Sequence, residues 1–114
     1  MNNYLVTQLN TLEPLRCPCG WTRRGFADAD GNTPATVHVV DAEIDARTHY
    51  HRKLTEIYIV LEGEGFLELD GEKIPICPLT AVMIKPGCRH RAIGQLKYLN
   101  VVIPAFDPED EWFD

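Results

Sequence analysis

The stretch that decides the fold runs from His49 to Gly63 and reads His-Tyr-His-Arg-Lys-Leu-Thr-Glu-Ile-Tyr-Ile-Val-Leu-Glu-Gly. It opens with two histidines two positions apart and continues into an apolar run that begins at Glu56. On an extended strand, residues i and i+2 point to the same face and lie about 6 to 7 Å apart. Two imidazoles at that spacing can bind one metal ion, although His-x-His pairs are also found on protein surfaces.

Around this stretch, alternating apolar and polar residues are broken by turn residues at roughly eight- to twelve-residue spacing, which predicts an all-β sandwich or barrel. No helix of ordinary length is indicated. The Asp70-Gly71 pair predicts a two-residue hairpin, so the strands beside it pair antiparallel. The predicted strands are Trp21–Phe26, Thr36–Ile44, Glu56–Glu62, Gly65–Leu69, Lys73–Ile76, Ala81–Ile84, His90–Ile93 and Leu96–Ile103.

The strand that starts at Glu56 has two distinct faces. Tyr58 and Val60 share the parity of the carboxylate and are expected to line the interior. The residues expected to face outward are Ile57, Ile59 and Leu61. This outward apolar row predicts either a homodimer contact or a cover supplied by an N-terminal strand.

Near the end of the chain, Asp107-Pro108-Glu109-Asp110-Glu111 predicts a short C-terminal helical turn. The aspartate can cap it, proline fits the first helical position, and acids suit the positive helix terminus. The aromatic pair that follows, Trp112 and Phe113, is then expected to anchor the turn on the barrel or on another subunit.

A third histidine follows a glycine turn further along the chain. His90 comes three residues after Gly87, at the start of a predicted strand. In a small barrel, a second pair of strands would present this side chain across the interior from His49 and His51. Imidazole nitrogens combined with a carboxylate oxygen suit Zn, Fe, Mn, Ni or Co better than Ca or Mg.

Together these segments resemble the two motifs of the cupin superfamily, G-x5-H-x-H-x3,4-E-x6-G and G-x5-P-x-G-x2-H-x3-N. The first motif keeps all its ligand spacings, and the second keeps its final glycine and histidine. The departures are two leading glycines, a proline and a closing asparagine, all at turns. Those positions hold Glu43, Leu79, Lys85 and Gly94.

The resemblance implies one domain over residues 1–114, whose core is a double-stranded β-helix, or jelly-roll barrel, from about residue 21 to 103. It also implies one divalent transition metal (Mn, Fe, Zn, Ni or Co) with coordination positions open to solvent. The ligands implied are His49, His51, Glu56 and His90.

Other residues near the ligand segments are candidates for catalysis or binding. Tyr58 and His38 are predicted to move protons, although a hydrogen-bonded or surface histidine is the alternative for His38. Arg47, Arg89 and Arg91 flank the ligand segments. Of these, Arg47 and Arg91 are predicted to bind the carboxylate or phosphate of a substrate, although arginines beside loops are commonly just solvated.

The four cysteines are expected to be thiols. Cys17 and Cys19 are too closely spaced for an ordinary disulfide within one strand, and Cys77 and Cys88 lie in different segments. The N-terminus lacks the basic start and apolar run of a secretion signal, so a cytoplasmic location is expected.

Composition narrows the classes of partner. The chain has 114 residues, 45% hydrophobic and 25% charged, which is typical of one folded, soluble domain. A formal net charge of -6 argues against nucleic acid as a partner. The apolar stretches are far shorter than the roughly 20 residues that span a bilayer. The expected partners are a small-molecule ligand and a second copy of the chain.

Two functions stay open at this point. One is a metal-dependent oxygenase, decarboxylase or isomerase acting on a small polar or anionic metabolite, in which the ion polarises a carbonyl or carboxylate. The other is a non-catalytic module that binds or senses a metal or small ligand in the same pocket. One fold hosts many chemistries, so the resemblance does not separate the two.

Overall fold

The computed structural model describes residues 3–27, 33–43 and 46–114. Within those ranges the chain forms one short 3-10 helix, Leu9–Thr11, and nine strands. Eight of the strands match predicted ones to within two residues, and Ile44, the predicted end of one of them, lies outside the described ranges. The strands are β1 (Leu15–Cys17), β2 (Gly20–Gly25), β3 (Thr36–Ala42), β4 (Thr55–Glu62), β5 (Gly65–Leu69), β6 (Glu72–Ile76), β7 (Ala81–Ile84), β8 (His90–Ile93) and β9 (Leu96–Ile103).

The strands form two antiparallel sheets. The larger has the order β1-β2-β3-β9-β4-β7, and the smaller has the order β6-β5-β8. A backbone bridge between His49 and His90 links the segment before β4 to the start of β8. The buried apolar side chains of both sheets form one core cluster. The all-β jelly-roll prediction is therefore confirmed.

The alternation in β4 is as predicted. Glu56, Tyr58 and Val60 are buried, whereas Ile57 and Ile59 are half-buried on the opposite face. The outward face is thus apolar and only partly covered. The homodimer predicted from it stays a prediction, and a sedimentation mass of one 12.9 kDa chain would count against it.

Turn geometry explains two of the sequence signals. Asp70 and Gly71 both have positive φ, 49° and 84°, as the predicted hairpin turn requires. Leu79 occupies a motif glycine position and still adopts the left-handed conformation, with φ of 73°. The turn is therefore kept without its glycine, at the steric cost that a side chain has in this region.

The C-terminal segment makes the short turn that was predicted, in which Asp110 N–H donates to Asp107 O at 3.0 Å. One prediction is corrected by the structure. Cys17 and Cys19 are joined as a disulfide, because the β1–β2 hairpin turn brings their Cα atoms to 5.1 Å. Cys77 and Cys88 are free thiols, as expected.

No helix in the described part of the chain has the length and apolar character that crossing a bilayer requires.

Candidate metal centre

Four side chains from three separate segments meet at one point inside the barrel. His49 and His51 precede β4, Glu56 is the second residue of β4, and His90 is the first residue of β8. All four are buried, and one potential ligand atom from each lies within 4.8 Å of the others. Glu56 Oε1 is 3.1 Å from His51 Nε2 and 3.0 Å from His90 Nε2.

Each imidazole is oriented by a hydrogen bond between its Nδ1 and a backbone carbonyl. The distances are 3.0 Å from His49 to Arg47 O, 2.6 Å from His51 to Asp110 O, and 2.9 Å from His90 to Cys88 O. With Nδ1–H donating outward, the Nε2 atom of each ring faces the centre. Such outer hydrogen bonds are the usual support of histidine ligands.

The residues present fit a divalent metal ion. His51 Nε2, Glu56 Oε1 and His90 Nε2 are buried and face one another, and none of them bonds to a described residue outside the cluster. Buried polar atoms left without partners are costly. Three imidazole nitrogens and one carboxylate oxygen form a donor set suited to Zn, Fe, Mn, Ni or Co. The cluster is therefore able to hold such an ion.

Asn100 orients the carboxylate. Its Nδ2 donates to Glu56 Oε2 at 2.6 Å, so that Oε1 is the oxygen left facing the histidines. Asn100 lies on β9 directly opposite Tyr58 of β4 and is itself buried. It holds the anionic ligand in one rotamer.

The protonation states of the cluster differ between its members. Burial, with the neighbouring His90, lowers the pKa of His49 to about 4. Burial would also lower the pKa of His51, but its interaction with the Glu56 carboxylate outweighs this and raises the pKa to about 8. Burial would raise the pKa of Glu56, and the two histidines beside its carboxylate instead lower it. The metal-free centre at neutral pH is thus a buried ion pair of His51 and Glu56.

Zinc binding is expected to release about one proton at pH 7, because His51, with a pKa of about 8, must lose its proton to become a ligand. The apparent affinity should rise about tenfold per pH unit up to about pH 8 and then level off. Calorimetric titration in buffers of different ionisation enthalpy measures the proton count. A proton count near zero at pH 7 would contradict this assignment.

The same shift sets the pH dependence of the metal-free fold. The pKa of His51 is raised above its ordinary value of 6.5. The ion pair of protonated His51 with Glu56 therefore stabilises the fold fully below pH 6.5. It is lost as the pH rises through about 8.

A narrow cavity of about 30 Å³ adjoins the cluster, which is room for one or two water molecules. His38 and Tyr58, the residues predicted to move protons, both line it. Burial, with the charge of Arg24, lowers the pKa of His38 to about 4, and burial raises that of Tyr58 well above its ordinary range. A surface groove of about 650 Å³ lies elsewhere, and no residue of the cluster lines it.

The structure does not bring the three flanking arginines to this cavity. The Arg47 guanidinium lies 3.8 Å from the Phe113 ring centre, and that of Arg89 pairs with Asp114. Arg91 faces outward from β8 and pairs with Glu68 at 3.3 Å.

Four polar residues of the site were not anticipated from the sequence: Thr22, Arg24, Asn100 and Glu111. All four line the cavity. Glu111 Oε1 is 3.8 Å from His49 Nε2. The sequence did hold a signal for Asn100. It is a polar residue on the inward face of β9, where the residues two positions before and after it, Tyr98 and Val102, are buried.

Known proteins resemble the chain over most of its length. A Cupin domain family model matches residues 35–102. A structure of a protein from Planctomyces limnophilus is 41% identical with a TM-score of 0.88, and the match covers 96% of each chain.

Two more distant structures share the fold. Pac13 from Streptomyces, described as a nucleoside dehydratase, is 21% identical with a TM-score of 0.81, over 97% of this chain and 90% of that chain. A cupin protein from Bacteroides fragilis is 23% identical with a TM-score of 0.67, over 91% of this chain and 86% of that chain. No curated protein sequence matches the chain.

Proposed function

The chain belongs to the cupin family, and on that premise we propose that it is a metal-dependent enzyme acting on a small polar or anionic metabolite. The observation that carries the proposal is the convergence of four buried donor atoms on one point beside a cavity with its own polar residues. A purely structural metal site does not require a neighbouring polar cavity.

The proposed ligands have separate tasks. The Nε2 atoms of His49, His51 and His90 would bind the ion as neutral donors, and Glu56 would supply the negative charge. An ion held there would act as a Lewis acid on a carbonyl or carboxylate of the substrate, or as a redox centre. The reaction class within oxygenases, decarboxylases and isomerases is set by the identity of the ion and of the substrate.

Tyr58 and His38 are the proposed proton-handling residues. The raised pKa of Tyr58 keeps its hydroxyl protonated, so it would act as a hydrogen-bond donor to a bound oxygen. His38 is neutral at pH 7, because its pKa is about 4. Its Nε2 contacts Thr36 Oγ1 at 3.0 Å, which fixes the ring.

Cavity size supports a small substrate. Sites for drug-sized molecules occupy about 300 to 1,000 Å³, ten or more times the volume present beside the cluster. A nucleoside, the type of molecule named for Pac13, would require the cavity to open widely. An organic acid of a few carbon atoms exceeds the volume of one or two water molecules far less, so we favour such an acid.

The second candidate is a module that binds a metal or small ligand without turnover. The narrowness of the same cavity favours it, because little room exists for a reacting molecule.

An activity screen separates the two candidates. Protein loaded with Fe²⁺, Mn²⁺ or Zn²⁺ would be assayed for oxygen uptake, carbon dioxide release and isomerisation against short-chain acids and diketones. The enzyme proposal expects metal-dependent turnover that is absent from His90→Ala. Stoichiometric metal without turnover on any member of the panel would favour the binding module.

A further inference from the structure

Arg24 is a charged residue inside the barrel without a bonded counterion. It is half-buried on β2, and it lines the cavity beside the metal cluster. Its Nε is buried and has no hydrogen-bond partner, and its guanidinium makes no ion pair within 4.0 Å, among the residues that the structure describes. A buried N–H group of a guanidinium that lacks a partner is unfavourable unless a ligand accepts from it.

Strand register places Arg24 in the same row as the inner residues of the site. Arg24 of β2 lies opposite His38 of β3, which lies opposite Asn100 of β9, which lies opposite Tyr58 of β4. Adjacent strands are about 4.8 Å apart, so the row spans about 14 Å from the backbone of Arg24 to that of Tyr58. Arg24 therefore stands at the side of the cavity away from β4, which carries Glu56.

Aromatic packing positions the guanidinium. The Arg24 guanidinium carbon lies 4.3 Å from the centre of the Phe106 ring, which also lines the cavity. A guanidinium presents its N–H groups as a planar fork that matches a carboxylate. The contact with Phe106 therefore holds a carboxylate-binding group beside the cavity.

Two further polar atoms of the cavity residues lack partners. Thr22 Oγ1 and Asn100 Oδ1 are buried and bond to no described residue. Thr22 precedes Arg24 by two positions on β2 and shares its inward face. A ligand at Arg24 would therefore find a hydroxyl and an amide oxygen nearby, which suits a hydroxy acid or an acid bearing another donor.

We propose that Arg24 is the carboxylate-binding residue of the site and that the ligand is a small organic acid. The carboxylate of the ligand pairs with the Arg24 guanidinium, and the other end of the ligand faces the cluster of His49, His51, Glu56 and His90. The assignment rests on the proposed function, in that it takes the cavity to be a site for a small molecule. It replaces Arg47 and Arg91, whose side chains lie outside the cavity.

Glu111 provides a charge that competes with the ligand. It lines the same cavity and attracts the Arg24 guanidinium electrostatically without forming an ion pair with it. An incoming carboxylate would share that positive charge. Glu111→Gln is therefore expected to tighten carboxylate binding severalfold, and Arg24→Gln is expected to weaken it.

The test is an acetate titration followed by the arginine Nε–Hε resonances of ¹⁵N-labelled protein. It is run on metal-free and on Zn²⁺-loaded protein, with acetamide as the neutral molecule of the same shape. We expect acetate, and not acetamide, to shift the Arg24 resonance, and Arg24→Gln to weaken acetate binding at least tenfold in both forms. Arg91→Gln, the matched control, removes the same charge outside the cavity and should leave acetate affinity unchanged.

Several outcomes would overturn the proposal. These are no acetate binding to the wild type, equal binding of acetamide, or acetate affinity unchanged in Arg24→Gln. If that variant does not fold, Arg24→Lys is the alternative, because it keeps the charge without the planar fork. We expect an intermediate loss of acetate affinity, and full affinity would count against a role for the fork. Failure of Zn²⁺ to bind would remove the metal-enzyme proposal alone, because Arg24-dependent acetate binding to metal-free protein would stand.

Discussion

Replacing His90 by alanine is expected to abolish most of the stability that the protein gains from metal. His90 is fully buried and supplies one of the four donor atoms of the cluster. Losing even a residue that only orients a ligand costs about 10- to 100-fold in metal affinity, and losing the ligand itself should cost at least as much. At free Zn²⁺ about 1,000 times the wild-type Kd, the metal stabilises the fold by about 4 kcal/mol, which should fall to about 1 kcal/mol in the variant.

Thermal unfolding with and without Zn²⁺, together with the bound metal per chain, measures this effect. His38→Ala is the matched control, because His38 is a buried histidine of the same interior that is not part of the cluster. The control should keep full metal stoichiometry. If His90→Ala bound as much metal as the wild type, with the same metal-induced rise in Tm, the ligand assignment would be wrong. His90→Gln tests the same point should the alanine variant unfold.

Asp110→Ala is expected to cost about 3 kcal/mol of folding stability, because it leaves the Asp110 partners unbonded. The Asp110 carboxylate accepts from the backbone N–H groups of Arg52, Lys53 and Leu54 at 2.9 to 3.0 Å. Trp112 Nε1 donates to it as well, at 3.0 Å. The carboxylate thereby fixes the segment that connects His51 to β4.

The same substitution should weaken metal binding about tenfold or more. Without the carboxylate, the segment at residue 110 is no longer held against residues 52–54, and its backbone carbonyl is the group that accepts from His51 Nδ1. Urea unfolding and zinc affinity are the two measurements. Asp107→Ala removes the same charge nearby and one exposed hydrogen bond to Glu109 N, so it should change stability by less than about 1 kcal/mol. Equal effects from both variants would argue against a specific role for Asp110.

The pH dependence of the Asp110 contribution has a defined sign. Burial would raise its pKa, but the backbone N–H donors of Arg52 and Lys53, with Trp112 and Leu54, outweigh this and lower it from 3.8 to about 2. Its stabilisation is therefore present above pH 3.8 and is lost as the pH falls toward 2.

Local patterns together with the resemblance to the cupin motifs predicted the cluster. Alternation along β4 put Glu56 on the buried face, and the two-residue spacing put His49 and His51 on a common side. The glycine turn at Gly87 indicated the start of the strand that carries His90. The motif departure at Leu79 did not prevent the turn, since Leu79 adopts a positive φ, the conformation that favours glycine.

Contacts between distant segments explain what the sequence did not reveal. The capping pattern at Asp107 predicted the local turn but not its partners. Asp110 bonds to N–H groups 56 to 58 residues away, and Trp112 forms a bridge with Tyr50. Arg24 reaches the site only through the register of β2 on β3. No periodicity within a single strand contains that information. The Cys17–Cys19 pair was missed because a hairpin turn, and not a continuous strand, separates the two residues.

The most direct test of the metal centre is a crystal structure of Co²⁺- or Zn²⁺-loaded protein with anomalous data collected at the metal edge. We predict one strong anomalous peak at about 2.0 to 2.2 Å from the Nε2 atoms of His49, His51 and His90 and from Glu56 Oε1. The ligand assignment would be contradicted by a peak at surface carboxylates, or at the thiols of Cys77 or Cys88, together with no peak beside the four side chains.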